Sequence, residues 1–117
     1  MKHKRPFSVH LIADFESPKF IEDPRKIRKI LWETALAAKN TPLKTSIHKF
    51  PLQGITGIVL LAESHIAIHT WPELKYMAVD IFTCGNKSMP YKALEYLKRT
   101  FAPRKVKSML IKRGYFL

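Results

Sequence analysis

Side chains that could carry out chemistry are concentrated between residues 62 and 84. The segment 62–73 reads Ala-Glu-Ser-His-Ile-Ala-Ile-His-Thr-Trp-Pro-Glu, and Cys84 follows Ser64 by 20 residues. A hydroxyl, two imidazoles, two carboxylates and a thiol are therefore expected near the ends of adjacent elements. This combination is typical of a nucleophile with a general base. A polar strand end with hydrogen-bonded histidines would leave the same pattern, and spacing alone does not separate the two interpretations.

The two histidines of this segment fall on one face of a predicted strand. Side chains alternate along a strand, so His65 and His69 share a face and Ser64 lies on the other. Residues four apart on a strand are separated by ~13 Å. That distance is too long for two ligands of one ion, so the pattern predicts no metal site.

The first half of the chain predicts a strand followed by a helix. Apolar residues alternate over 7–15, which is strand periodicity. Asp23 followed by Pro24 indicates an N-cap with proline at the first helical position. Apolar residues at helical spacing then predict an amphipathic helix that ends at 40–42. Its predicted buried residues are Ile27, Ile30, Leu31, Thr34, Ala35 and Ala38.

The rest of the chain predicts strands over 43–50, 55–61, 64–71, 76–83 and 105–112, and a second helix over 88–101. Two helices cannot cover both faces of such a wide sheet. We therefore predict one domain over residues 1–117, of the α+β class: a two-layer α/β sandwich with an antiparallel-rich sheet and two helices on one face. A second copy of the chain is expected to cover the other face.

Composition limits the classes of function. The 117 residues are 46% hydrophobic, which is enough for one packed core, and their formal charge is +12. An excess of Lys and Arg is compatible with nucleic-acid binding. However, the basic clusters are not interleaved with glycine or aromatic residues, and the sequence has no zinc-finger spacing. A solvated basic face is the favoured interpretation.

The sequence also predicts a compartment. The longest uncharged apolar run, 55–62, is far shorter than the ~20 residues of a membrane span. No apolar segment follows the basic N-terminus, so no secretory signal is predicted. The single cysteine, Cys84, cannot form an internal disulfide, which favours a reducing cytoplasm.

The most specific motif is the segment 63–73, Glu-Ser-His-Ile-Ala-Ile-His-Thr-Trp-Pro-Glu, together with Asp-Ile-Phe-Thr-Cys-Gly at 80–85. These residues resemble the short prokaryotic S-adenosylmethionine decarboxylase proenzymes. The resemblance includes Val-His-Leu-Ile-Ala-Asp-Phe at 9–15 and Phe-Pro-Leu-Gln-Gly-Ile-Thr-Gly at 50–57, and it extends from about residue 7 to 114. Members of that family generate a pyruvoyl cofactor from their own serine. Their decarboxylated product is the aminopropyl donor for spermidine synthesis.

The resemblance implies self-cleavage between Glu63 and Ser64, giving a β chain of residues 1–63 and an α chain of residues 64–117. The Ser64 hydroxyl would attack the Glu63 carbonyl, and elimination of the resulting ester would leave the pyruvoyl group. That group would form a Schiff base with the substrate amine. Thr56 and His69 match the residues that assist cleavage, although Thr56 stands where relatives commonly have serine.

The resemblance also implies roles in the mature enzyme. Cys84 matches the residue that protonates the substrate after carbon dioxide is lost. Phe50 matches a ring that stacks on the adenine, and Glu73 matches a carboxylate that accepts hydrogen bonds from the ribose. His10 and His65 receive no firm role. The family implies a cytoplasmic homodimer of αβ protomers, with active sites at or near the subunit contact.

Two other functions stay open from the sequence. A pyruvoyl enzyme acting on another amino acid, such as arginine, would share the maturation motif. A basic nucleic-acid-binding module would share the charge but not the activity. Phe50 and Glu73 favour an adenosyl ligand, and we expect S-adenosylmethionine to be the substrate.

Overall fold

A computed structural model describes residues 8–84 and 87–114. Within these ranges the chain forms six β-strands, two α-helices and one 3₁₀ turn. The elements in chain order are β1 (Ser8–Glu16), α1 (Pro24–Ala37), β2 (Pro42–Lys49), β3 (Ile55–Leu61), β4 (Ser64–Trp71), a 3₁₀ turn (Pro72–Leu74), β5 (Tyr76–Cys84), α2 (Pro90–Phe101) and β6 (Lys105–Arg113).

The strands form one antiparallel sheet in the order β2-β3-β4-β5-β1-β6. Helix α1 packs over β2 and β3 and against α2, and α2 packs over β5. Both helices bury their apolar sides on the same side of the sheet, where the core lies. The predicted α+β class and the two-layer sandwich are confirmed.

Helix α1 begins as the sequence predicts. The Asp23 carboxylate accepts a hydrogen bond of 2.9 Å from the backbone N–H of Arg25, and Pro24 opens the first turn. The helix then lies directly on β3 at Gly57. A Cβ at that position would be 3.0 Å from Leu31 and 3.1 Å from Ile27. The absence of a side chain on Gly57 therefore lets the helix approach the sheet closely.

The sheet face opposite the helices carries the chemistry. On β4, Ile66, Ile68 and Thr70 are buried toward the helices, while His65 and His69 lie on the other face. We call this second surface the open face. Several large apolar side chains on it are at least one-third exposed: Ile58, Leu60, Trp71, Met109 and Ile111.

Most predicted element boundaries agree with the structure to within two residues. Helix α2 begins at Pro90 and not at 88, because the Ser88 hydroxyl donates a hydrogen bond to the Cys84 carbonyl and holds that segment outside the helix. The first strand runs to Glu16, and the predicted start at Phe7 lies outside the described residues.

Candidate active site

The hairpin between β3 and β4 presents the bond that the sequence predicts to be cleaved. Leu61 pairs with Ser64, so only Ala62 and Glu63 form the turn. Two-residue hairpins normally place positive φ angles within the turn itself. Here neither turn residue has one, and Ser64 instead has a φ of +156°. That angle lies outside the usual β region of an L-residue, so backbone strain is located at Ser64.

The Cys84 thiol touches the same peptide bond. Strand β5 ends at Cys84, beside the hairpin, and its Sγ donates a hydrogen bond of 3.1 Å to the carbonyl oxygen of Glu63. The side chain is half-buried. A donor at this oxygen is placed where negative charge would develop if a nucleophile attacked the carbonyl carbon.

The Glu63 carboxylate is held by Thr41. The Thr41 backbone N–H donates to one carboxylate oxygen at 2.9 Å, and the Thr41 hydroxyl donates to the other at 3.0 Å. The Thr41 carbonyl in turn accepts from the Ala62 N–H at 2.9 Å. We call this arrangement the Thr41 clamp. It occupies both oxygens of Glu63 and ties the hairpin to the segment between α1 and β2.

A pair of histidines lies on the open face beside Ser64. The Ser64 Oγ and the His65 Nδ1 are 3.4 Å apart, and the His10 Nε2 donates to the Asp80 carboxylate at 3.1 Å. The Phe82 ring packs against both imidazoles, with centroid distances of 5.3 Å to His10 and 5.7 Å to His65. Desolvation by burial and the nearby His10 lower the pKa of His65 from its ordinary value, against a smaller opposing effect of Asp80.

A buried polar network supports the end of β5. The Asn40 amide donates to the hydroxyls of Thr83 and Ser88 at 3.1 and 2.7 Å. Thr83 donates to Ser88 at 2.9 Å, and Ser88 donates to the Cys84 carbonyl at 2.8 Å. The network fixes the backbone on which the thiol is carried.

A cleft of about 630 Å³ lies toward the other end of β4. Its walls include Phe50, Thr56, His69, Trp71 and Glu73. The Thr56 hydroxyl and the His69 Nδ1 are 3.4 Å apart, as neighbouring residues of paired strands. The Trp71 indole stacks on Tyr76 at 5.3 Å between centroids.

The position of Phe50 depends on a tight turn. The Phe50 N–H donates to the Gly54 carbonyl at 3.0 Å, and Gly54 has a φ of +99°, which glycine adopts without strain. The His48 ring packs edge-on against Phe50 at 4.6 Å. Phe50 is 44% exposed, so its ring is available to a ligand.

The residues expected from the sequence thus form two groups. Glu63, Ser64 and Cys84 lie at one end of the β4–β5 pair, whereas His69 and Glu73 lie toward the other end. Five residues of strand separate Ser64 from His69, which is about 17 Å. The expectation that all these groups gather at adjacent strand ends is therefore wrong for His69 and Glu73.

The sequence does not predict that Thr41 and Trp71 contribute to the site, and it gives His65 no role. Thr41 is distant from the motif in sequence, and only the strand register brings it to Glu63. Trp71 stands in the motif, but the sequence predicts no ligand contact for it, and the structure places it in the wall of the cleft. His65 was expected on the opposite face from Ser64, yet the irregular φ of Ser64 brings the two side chains together.

Residues 8–84 and 87–114 contain no group of three or more His, Cys, Asp or Glu side chains arranged to hold a metal ion. None of the helices in these ranges has the length and apolar character needed to cross a membrane.

Comparison with known proteins identifies the class to which this fold and site belong. The family model described as S-adenosylmethionine decarboxylase matches residues 9–114. The chain belongs to the S-adenosylmethionine decarboxylase family.

Individual relatives agree with this assignment. An S-adenosylmethionine decarboxylase proenzyme from Acetivibrio thermocellus is 48% identical over 90 residues, covering 77% of this chain and 73% of its own. Another from Pelotomaculum thermopropionicum is 40% identical over 116 residues, covering 97% of this chain and 90% of its own. The crystal structure of the adenosylmethionine decarboxylase from Aquifex aeolicus VF5 has a TM-score of 0.85 and 34% identity, covering 94% of this chain and 92% of that chain.

Proposed function

We propose that this chain is a single-domain proenzyme that cleaves itself between Glu63 and Ser64, and that the mature enzyme decarboxylates S-adenosylmethionine for spermidine synthesis. The observation that carries the proposal is the hydrogen bond from the Cys84 thiol to the Glu63 carbonyl, beside the strained Ser64. A strained peptide with a donor on its carbonyl oxygen is prepared for nucleophilic attack. Family membership supports the same reaction.

Cleavage begins as a rearrangement within the Glu63–Ser64 unit. The Ser64 hydroxyl adds to the Glu63 carbonyl carbon through a five-membered ring, and the carbonyl oxygen gains negative charge against the Cys84 thiol. The C–N bond then breaks, giving an ester and a free amine. Removal of the Ser64 α-proton expels the Glu63 carboxylate, and loss of ammonia from the resulting dehydroalanine by hydrolysis leaves a pyruvoyl group.

The residues at the new N-terminus fit this cofactor. Ser64 is half-buried on a sheet end, with the Cys84 thiol beside the same peptide. When present, the pyruvoyl carbonyl supplies an electron-withdrawing group for loss of carbon dioxide. Cys84 holds the proton that the substrate carbon needs afterwards, so one thiol serves both stages.

The adenosyl part of the substrate fits the cleft. The exposed Phe50 ring offers a stacking surface for the adenine, and such stacking contributes roughly 1–3 kcal/mol per base. Glu73 provides a carboxylate for the ribose hydroxyls in the same cleft. Arginine has neither group, so the cleft favours an adenosyl substrate over arginine.

The separation between the two groups of site residues supports a homodimer. An imidazole about 17 Å along a strand cannot reach Ser64 of its own chain. A homodimer that packs two open faces together in opposite directions would bring the Thr56–His69 pair of one protomer toward Ser64 of its partner. Such packing also covers the exposed Ile58, Leu60 and Met109 side chains, which supports a dimer built on this face.

Intact mass spectrometry under denaturing conditions tests self-cleavage. We expect two fragments, 1–63 and 64–117, with the second blocked at its N-terminus and its carbonyl reducible by borohydride. The matched Ser64→Ala variant should remain a single chain. Folded wild-type protein that never acquires a trappable carbonyl would refute the proposal, and cleaved protein that decarboxylates arginine but not S-adenosylmethionine would refute the substrate.

A further inference from the structure

One ring in the wall of the ligand cleft stands at the very end of its strand. Trp71 is the last residue of β4, and 38% of its surface is exposed. The pairing of β4 with β3 ends at Thr56–His69, before Trp71 is reached. On the β5 side Trp71 is paired with Tyr76, and the two side chains stack face to face, with 5.3 Å between ring centroids and 13° between ring planes. The cross-strand support of the indole therefore comes from Tyr76.

Tyr76 is in turn fixed from β1. Its hydroxyl donates a hydrogen bond of 2.6 Å to the Asp14 carboxylate, which lies diagonally across the β1–β5 pair because Asp14 is paired with Ala78. Diagonal neighbours on one face of a sheet are within reach of an aromatic side chain. A hydrogen bond to an ionised acceptor is stronger than one between neutral groups. The bond to Asp14, followed by desolvation, raises the pKa of Tyr76 to about 12, so the phenol keeps its proton at neutral pH.

We infer that Tyr76 is a positioning residue for substrate binding. Anchored on Asp14, the Tyr76 ring holds the Trp71 indole in the wall of the cleft, where the adenosyl part of the substrate is proposed to bind. The cleft wall includes Trp71 and not Tyr76, so Tyr76 acts through the indole. This inference rests on the proposed function, because it takes S-adenosylmethionine to be the occupant of the cleft.

The orientation of the indole affects affinity because a flat ring offers its full surface to a ligand in one orientation. An indole that moved freely at the strand end would have to be ordered when the ligand binds, at a cost in conformational entropy. A ring already fixed by its neighbours binds without that cost. The indole also stacks on His69, with 6.2 Å between centroids, so the position of Tyr76 affects two rings of the cleft.

A purely structural role for the Tyr76–Asp14 bond makes a different prediction. Strands β1 and β5 are already paired along Ser8–Glu16 and Tyr76–Cys84, so one exposed side-chain bond adds little to their association. A structural role would lower the Tm and leave KM unchanged. A positioning role raises KM and leaves kcat and the Tm close to those of the wild type, because it affects binding and not the chemical step.

The first experiment measures KM and kcat of the cleaved enzyme for S-adenosylmethionine, with active sites counted by borohydride reduction of the carbonyl. Tyr76→Phe keeps the ring and removes the donor. We expect its KM to rise about threefold to tenfold, with kcat within about twofold of the wild type. The matched control is Tyr96→Phe, which removes a hydroxyl that donates to Glu33 at 3.3 Å between the two helices. Its KM should equal that of the wild type.

Variants of Asp14 break the same bond from the other side. Asp14→Ala should raise KM as much as Tyr76→Phe does, whereas Asp14→Asn keeps an acceptor and should recover part of the loss. The double variant Asp14→Ala/Tyr76→Phe should bind substrate no worse than either single variant, because both changes remove one bond. The Asp14 series also decides the question if Tyr76→Phe fails to fold, which thermal melting would reveal.

Fluorescence measures the motion of the indole directly. The chain has two tryptophans, and Trp32→Phe on α1 leaves Trp71 as the single emitter. In that background, time-resolved anisotropy should show more local motion of Trp71 in Tyr76→Phe than in the parent. Tyr76→Leu removes the stack as well as the hydrogen bond, so it should release more motion and raise KM further.

The outcomes separate this inference from the proposed function. A wild-type KM in Tyr76→Phe, or effects of Tyr76→Phe and Asp14→Ala that multiply in the double variant, would overturn the positioning role. An indole that stays equally rigid in Tyr76→Leu would overturn it as well. Wild-type protein that folds but does not decarboxylate S-adenosylmethionine would instead refute the proposed function.

Discussion

At the residue scale, the proposed function assigns two reactions to the Cys84 thiol. As a thiol it donates to the Glu63 carbonyl before cleavage. In the proposed reaction, cleavage leaves that oxygen in a carboxylate at a new chain end, and the thiol is then free to turn to the substrate. A weak donor is suited to this change of partner, because an S–H bond to oxygen is weaker than an N–H bond.

Two substitutions of Cys84 should separate these roles. Cys84→Ala removes the donor, so we expect cleavage to slow by about tenfold, less than the loss of a strong oxyanion donor would cause. The cleaved fraction should also decarboxylate poorly. Cys84→Ser restores a donor and should recover cleavage more than decarboxylation. Rates of fragment formation and of carbon dioxide release on the same samples check this, and normal decarboxylation by Cys84→Ala would exclude the thiol as the acid.

At the element scale, the hairpin is held from outside by the Thr41 clamp. Thr41 lies between α1 and β2, so this connecting segment, the hairpin and the end of β5 meet at Glu63. Both Glu63 oxygens accept from Thr41, which makes the Glu63 carboxylate an anchor for the turn and unsuited to act as a base on Ser64. Strain at Ser64 persists only where such neighbours hold the backbone.

Removal of the Thr41 hydroxyl should weaken the Thr41 clamp. Thr41→Val keeps the shape and the backbone N–H but loses the hydroxyl bond to the carboxylate, and bonds to charged groups contribute about 1.5–3 kcal/mol, less at an exposed site. We expect cleavage to slow by roughly threefold to tenfold. Thr41→Ser should cleave like the wild type. Time courses of fragment formation distinguish the two, and equal rates for the valine and serine variants would contradict an anchoring role.

Elements could be predicted from the sequence more completely than the contacts between them. Strands β3 and β4 have the predicted bounds, because their apolar residues alternate and a turn separates them. Helix α2 begins two residues late because the Ser88 hydroxyl is used by a network of residues from three segments, which local pattern does not reveal. The contacts of Thr41 and His65 depend on strand register and on one irregular φ angle, so periodicity could not predict them.

At the scale of the whole molecule, the open face is the side of the sheet that neither helix covers. It combines exposed apolar side chains with the histidines and carboxylates of the site, whereas the opposite face is covered by both helices. Ser64 and Cys84 lie at one end of this face, and the Phe50–Glu73 cleft lies toward the other. Two copies packed in opposite directions would complete two equivalent sites, each with residues from both chains.

Complementation between two inactive chains tests this arrangement. Ser64→Ala lacks the nucleophile, and His69→Ala lacks the imidazole that its partner needs, so each homodimer should remain uncut. In mixed dimers the His69→Ala chain keeps Ser64 and receives His69 from the Ser64→Ala partner, and it should cleave. The two chains carry different affinity tags, and mass spectrometry identifies which one is cut. As a matched control, His69→Ala paired with a Ser64→Ala/His69→Ala double variant should stay intact. Mixed dimers that stay uncut, or His69→Ala homodimers that cleave normally, would show that His69 does not act across the interface, because only a site shared between chains can be rebuilt from two chains that are each inactive.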